Sequence, residues 1–179
     1  MPSLKGVCRN GLANRTAKAF MRKIIFILLI ALFSSSPAFS SGSLTEAETR
    51  ELTNQNYRPG KIEHIVLFKY KPEISATEKQ LVIKQFLSLK NECLRNGTPY
   101  IASIVTGQQN SFEKLDQGYE QAFIVSFNSE GDRNYYAGKP LINDPNYFDP
   151  KHEQFKKFIG PLLMPNSEGV LVFDFRVQN

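Results

Sequence analysis

Two histidines, His64 and His152, are the only imidazoles in the 179-residue chain. Imidazole is the side chain best matched to proton transfer near neutral pH. Set beside a tyrosine hydroxyl in a water-poor cavity, it could take a proton from the carbon next to a carbonyl while the hydroxyl holds the developing oxyanion. Both residues also have a plainer use, His64 as a hydrogen-bonded core histidine and His152 as a first-turn helix residue. Glu63, Asp149 and Glu153 lie close in sequence to the two histidines and could join them around a divalent ion. The chain has no His-x-His or Cys-x-x-Cys spacing, however, and no metal is expected. No nucleophile elbow, phosphate-binding glycine loop or dinucleotide fingerprint occurs, so no cofactor is expected either.

The elements that must position these groups follow from periodicity. Ile62 to Tyr70 reads as a strand with Ile62, His64, Val66, Phe68 and Tyr70 on one face and Ile65 and Leu67 on the other. Ser75-Ala76-Thr77-Glu78 is a capping box that opens a helix with Val82, Phe86, Leu89 and Cys93 on one stripe. Asn96-Gly97 is expected to stop it. Tyr100–Thr106 and Tyr119–Phe127 read as two further strands, and Ser129 as the N-cap of a short helix through Tyr136. After an irregular stretch over 138–150, Asp149-Pro150 opens a helix that carries His152, Phe155 and Ile159 on one face. Gly169–Val177 is the last strand.

This order predicts an α+β fold of the ferredoxin-like split βαβ kind with a four-stranded antiparallel sheet. Helices on one face leave the other bare. Phe68, Tyr70, Phe123 and Phe127, joined by Phe173 and Phe175, are expected on that bare face. A patch of that size on a soluble chain should be hidden, and pairing two sheets face to face in a twofold homodimer hides it.

Residues 1–40 read as a secretory signal: basic Arg22-Lys23, an apolar run from Ile24 to Phe33, then a small-residue region with Ala38 and Ser40 placed for cleavage after Ser40. Met21 is a possible true start. The run is too short to span a bilayer, so an exported product, periplasmic or secreted, is expected to have no membrane attachment after cleavage. Residues 41–60 read as a short helix over 43–50 followed by a linker, and 61–177 as the domain. All of the leader's charges are positive. Six of the 22 basic residues and none of the 17 acidic ones fall in it, which leaves 16 against 17 and a net −1. Nothing in that balance points to nucleic acid. Cys93 is the sole cysteine after the leader and has no partner for an internal disulfide.

The segment Ile62-Glu63-His64-Ile65-Val66-Leu67-Phe68-Lys69 and the run Asp149-Pro150-Lys151-His152-Glu153-Gln154-Phe155 resemble the opening strand and the late-helix signature of the stress-responsive dimeric α/β barrel (Dabb) family. Gly107, Gly118-Tyr119, Phe127 and Tyr135 are similar to its looser central pattern. The resemblance covers residues 61–177. It implies a ferredoxin-like subunit, a homodimer, and a cavity between sheet and helices. A plant cyclase of the family acts through a strand histidine, a late-helix histidine and tyrosines. His64 and His152 match the two histidines, Tyr135 one tyrosine, and Phe86 stands near the other.

Two functions follow as expectations. In the first, the dimer binds a small apolar or aromatic molecule in a cavity lined by Val66, Phe68, Phe86 and Phe155. In the second, it is a cofactor-free lyase, cyclase or isomerase in which His64 and His152 open onto one cavity with Tyr135 at its wall.

Overall fold

Alternating apolar residues draw Pro59–Phe68 into a ten-residue strand, β1, the centre of a four-stranded antiparallel sheet in a computed structural model that describes residues 43–178. The other strands are β4 (Ser103–Gln108), β5 (Gln121–Ser129) and β6 (Val170–Arg176), in the order β4-β5-β1-β6. Among the described residues four α-helices accompany them: α1 (Glu46–Leu52), α2 (Ala76–Glu92), α3 (Glu130–Ala137) and α4 (Pro150–Ile159). This is the expected ferredoxin-like α+β arrangement. Among the described residues no helix is long and apolar enough to cross a membrane. The expected leader and its cleavage site at Ser40 lie outside the described residues.

The caps form as their sequences require. Ser75 and Glu78 close a reciprocal capping box at α2, Ser129 caps α3, and Asp149 accepts from the Lys151 and His152 amides at the start of α4. Each such cap is worth about 1 kcal/mol. Asn96-Gly97 differs from expectation. The helix ends earlier, at Glu92, and the dipeptide turns a two-residue hairpin between β2 (Leu94–Arg95) and β3 (Thr98–Pro99), with positive φ at both residues. Paired left-handed residues match the twist of a tight hairpin, so the signal belonged to a strand turn.

Register fixes the two faces of the sheet. Ile62, His64, Val66 and Phe68 lie opposite Phe127, Val125, Phe123 and Gln121 on β5, and opposite Arg176, Asp174, Val172 and Val170 on β6. This is the inner face, packed under the helices by Val82, Phe86, Leu89, Phe155 and Ile159. Phe68, Tyr70, Phe123 and Phe127 are therefore core residues, contrary to the expectation that they line the bare face. Alternation shows which side chains share a face but not which face the helices cover. The bare, outer face carries Ile65, Leu67, Val105, Ala122, Ile124, Leu171, Phe173 and Phe175. Phe173 and Val105 are each 58% exposed there.

Residues 53–58, expected to be linker, are largely exposed but are tied to the domain through their main chain. Thr49 and Thr53 are buried, and main-chain oxygens of this stretch accept bonds from α3 and from Arg95.

Candidate functional site

His64 sits mid-strand on the inner face of β1, directly opposite Asp174 of β6. Its Nδ1 lies 2.6 Å from Asp174 Oδ1. The other Asp174 oxygen is gripped by the Arg133 guanidinium from α3. Burial works to raise the Asp174 carboxyl, but the His64 hydrogen bond and the charges of His64 and Arg133 outweigh it and hold the group below its ordinary range. Asp174 is thus an anion at neutral pH. Nδ1 is the ring nitrogen engaged by Asp174, and Nε2 is the one not bonded to it.

His152 is placed by the first turn of α4, where Asp149 fixes its amide. Its Nδ1 is 2.6 Å from the Tyr136 carbonyl, which requires Nδ1–H and leaves Nε2 unprotonated. Burial pushes its pKa down to about 3, against a smaller upward effect of the Tyr136 carbonyl. His152 is therefore neutral under ordinary conditions.

Between the two imidazoles stands the ring of Tyr136. It stacks on His152 at 3.7 Å and meets His64 edge-on at 5.7 Å. Its hydroxyl is buried and has no hydrogen-bond partner among the described residues. Burial, then the neighbouring Cys93 and Asp149, hold that hydroxyl well above its usual pKa, so it remains a proton donor. A buried hydroxyl left unpaired costs roughly 1–3 kcal/mol, and such orphans are uncommon enough to need a reason.

The sequence placed Tyr135 at this position, and the structure corrects that by one residue. Successive helical residues point about 100° apart, and α3 turns Tyr136 inward with Asp132 while Tyr135 faces sideways. Tyr135 packs against the Arg95 guanidinium at 4.3 Å and the edge of Tyr100 at 5.5 Å, on the rim of a polar groove of about 530 Å³. Asp174, Arg133 and Tyr136 were missed. One signal for Asp174 was available: it is the lone acid inside the apolar run Val170-Leu171-Val172-Phe173-Asp174-Phe175.

Val66, Phe68, Phe86 and Phe155, expected to line the cavity, are all buried in one cluster. Phe86 stacks on Phe123 at 3.9 Å and meets Phe155 at 5.1 Å, edge to face. These rings fill the space beneath α2 and α4 with one another. Phe155 also touches a surface groove of about 460 Å³ between the two helices. Neither histidine lines any of the four grooves described. The approach to His64 lies elsewhere. Val170 and Val172 share the inner face with Asp174 on the edge strand β6, and Val172 is 52% exposed. An uncovered apolar strip therefore ends at the His64–Asp174 pair. Among the described residues no group of three His, Cys, Asp or Glu side chains is arranged to hold a metal ion.

The profile of the stress responsive A/B barrel domain matches residues 62–177. No curated protein matches the chain. Solved structures do. A protein of Arabidopsis thaliana is 24% identical with a TM-score of 0.51 over 66% of this chain and 96% of its own. A hydroxynitrile lyase from Passiflora edulis is 20% identical with a TM-score of 0.51 over 67% and 95%. A dimeric ferredoxin-like protein of unknown function from Jannaschia sp. CCS1 is 19% identical with a TM-score of 0.51 over 66% and 100%. At these identities the likeness is one of fold.

Proposed function

Because the chain belongs to the stress responsive A/B barrel domain family, we propose that it is a cofactor-free acid–base catalyst, a lyase, cyclase or isomerase acting on a small apolar or aromatic carbonyl compound. The observation that carries this reading is the buried Tyr136 ring, which stands between two imidazoles, one of them backed by Asp174, and whose hydroxyl has no hydrogen-bond partner among the described residues. A substrate enters along Val170 and Val172 and displaces little water. His64 Nε2 takes a proton from the substrate, and Asp174 stabilises the imidazolium that results. The Tyr136 hydroxyl donates to the oxygen on which negative charge develops, an interaction that strengthens as the charge forms. Neutral His152 keeps the tyrosine ring in place without repelling a charged His64. The Passiflora edulis neighbour is a hydroxynitrile lyase, and at its identity it contributes the fold and not the substrate.

The working unit in this proposal is an exported homodimer. The apolar outer face and the dimeric Jannaschia neighbour support the dimer. The basic, apolar and small-residue order of residues 22–40 supports export. Sedimentation at micromolar concentration should give twice the mass of the mature chain, and the intact mass from the native host should begin near Ser41. A monomer, or a product retaining residues 24–33, removes the corresponding part.

The test of the chemistry is hydrogen exchange at carbon. The mature protein is incubated in D₂O with an aryl methyl ketone, and deuterium beside the carbonyl is followed by NMR. Exchange should exceed buffer and fall by about 10²–10⁴-fold in His64→Asn, the usual contribution of a general base. Equal exchange in wild type and variant sinks the reading. The uncovered apolar strip of Val170 and Val172 favours a second one, ligand binding without turnover. Binding of the ketone with no exchange in the wild type would select it.

A further inference from the structure

We propose that the segment Glu46–Arg58, which lies outside the family match, is a positioning element for His64, acting through a hydrogen-bonded chain of Leu52, Asn134, Arg133 and Asp174. The chain is continuous. The Leu52 carbonyl accepts from Asn134 Nδ2 at 2.8 Å, and Asn134 Oδ1 accepts from Arg133 Nε at 3.1 Å. Arg133 Nη1 donates to Asp174 Oδ2, and Asp174 Oδ1 accepts from His64 Nδ1. The Asn134 amide has one allowed orientation, since a flip would set its NH₂ against the guanidinium and its oxygen against the Leu52 carbonyl. Both ends of that amide are therefore specified, one by the segment and the other by the arginine.

The segment is held in a fixed register. Arg95 Nη2 donates to the Thr53 carbonyl at 2.5 Å, the Gly131 amide to the Tyr57 carbonyl at 3.2 Å, and the Glu130 amide to the Arg58 carbonyl at 3.3 Å. Gly131 makes the close approach possible. A Cβ at that position would lie 1.8 Å from the Asn54 carbonyl oxygen. These anchors place the Leu52 carbonyl, rather than a neighbour's, opposite Asn134. Arginine has many rotamers, and a fixed Nε partner removes most of them. Without Asn134, the guanidinium, on a side chain that is 24% exposed, is free to leave the Asp174 carboxylate for water.

The groups facing the His64–Asp174 pair are Arg133 and Tyr136 from α3 and His152 from α4. Glu63 and Lys61 lie on the other face of β1. Arg176, two residues along the same face, pairs with Glu130, so among the described residues Arg133 is the cation besides His64 that bonds the Asp174 carboxyl. The inference rests on the proposed chemistry for its catalytic meaning, but its test needs no substrate.

The Asp174 carboxyl is titrated by ¹³C NMR in the mature protein, and the ¹⁵N shift of His64 Nδ1 is read alongside. Arg133→Met gives the full upward displacement of the carboxyl midpoint. Asn134→Leu should move it up by about half a unit, because a less well-held cation stabilises the carboxylate less. Gly131→Ala, which touches neither arginine nor carboxylate, should move it the same way by expelling the segment. The two together should do no more than the larger alone. A merely structural role would lower the melting temperature and leave the midpoint and the ¹⁵N shift in place. If Arg133→Met moves the midpoint and neither Asn134→Leu nor Gly131→Ala does, the positioning role is wrong. Absence of carbon exchange in the wild type would instead sink the catalytic reading and leave this chain of bonds standing.

Discussion

The inner and outer faces of the sheet are built from alternate residues of the same strands, yet they end in opposite states. The inner face holds Ile62, Val66, Phe68, Phe123, Val125 and Phe127, all buried, and its His64 and Asp174 are bonded to each other. The outer face holds a comparable set of apolar side chains, with Phe173 and Val105 more than half exposed. At its edge the loop after β4 adds Phe112, which is 99% exposed. The helices supply one apolar cover and no more, because each is amphipathic and spends its stripe on the inner face. The outer face has the composition of a second core that nothing covers among the described residues. In the proposed dimer that difference separates residues that fold the subunit from residues that pair it.

The sharpest test of the separation is a matched pair of ring deletions. Phe86→Ala removes a buried ring that stacks on Phe123, and should cost about 3–5 kcal/mol in a urea melt. Phe173→Ala on the outer face should leave the melt of the separated subunit almost unchanged and shift sedimentation toward the monomer. If Phe173→Ala destabilises the isolated subunit as much as Phe86→Ala does, the two faces are not functionally distinct.

A pH titration separates the faces by charge. His152 belongs to the inner layer and has its pKa depressed to about 3 by burial. In the unfolded chain it takes a proton near pH 6.5, so between there and pH 3 the unfolded state binds more protons. Stability should therefore be full above about pH 6.5 and fall by about 1.4 kcal/mol per pH unit as the pH drops through that window. His152→Gln should flatten that part of the profile. Below it, Asp174, whose pKa is also depressed, adds a further loss. A wild-type profile that is flat from pH 6.5 to 4 would mean that His152 is not buried neutral.

Periodicity made the architecture legible, because capping residues and alternation are local. Ser75, Ser129 and Asp149 name their helix starts, and Ile62 to Phe68 declares its strand. What stayed hidden was relational. Which face the helices cover depends on how the elements fold over the sheet, so Phe68 and Phe123 were given to the wrong side. The choice between Tyr135 and Tyr136 turns on the phase of one helix of eight residues, too short for its pattern to settle. The segment over 53–58 reads as linker because its anchors are main-chain carbonyls, which leave no trace in side-chain pattern. The two histidines stood out because only two exist. Asp174, by contrast, becomes a site residue only once register sets it opposite His64.

The smallest expected effect concerns the one polar row on the outer face. Ser103 Oγ donates to Ser126 Oγ at 2.9 Å, Ser126 Oγ donates to Glu63 Oε2 at 2.7 Å, and Lys61 pairs with the other Glu63 oxygen at 2.7 Å. The row crosses β4, β5 and β1 beside the apolar patch. In a lone subunit the Glu63 carboxylate still has Lys61 and nearby water when Ser126 is lost, so Ser126→Ala should cost about 0.5–1.5 kcal/mol. In a face-to-face dimer the same carboxylate is cut off from water, and losing one of its donors leaves a partly unpaired charge in a drier place. The penalty should then appear in the dimer's dissociation constant rather than in the subunit melt. Measuring Ser126→Ala by sedimentation and by urea, at low and high protein concentration, tells the two situations apart. A cost that does not depend on concentration would place the row outside the pairing surface and confine that surface to the Ile65, Ile124, Leu171 and Phe173 side of the sheet.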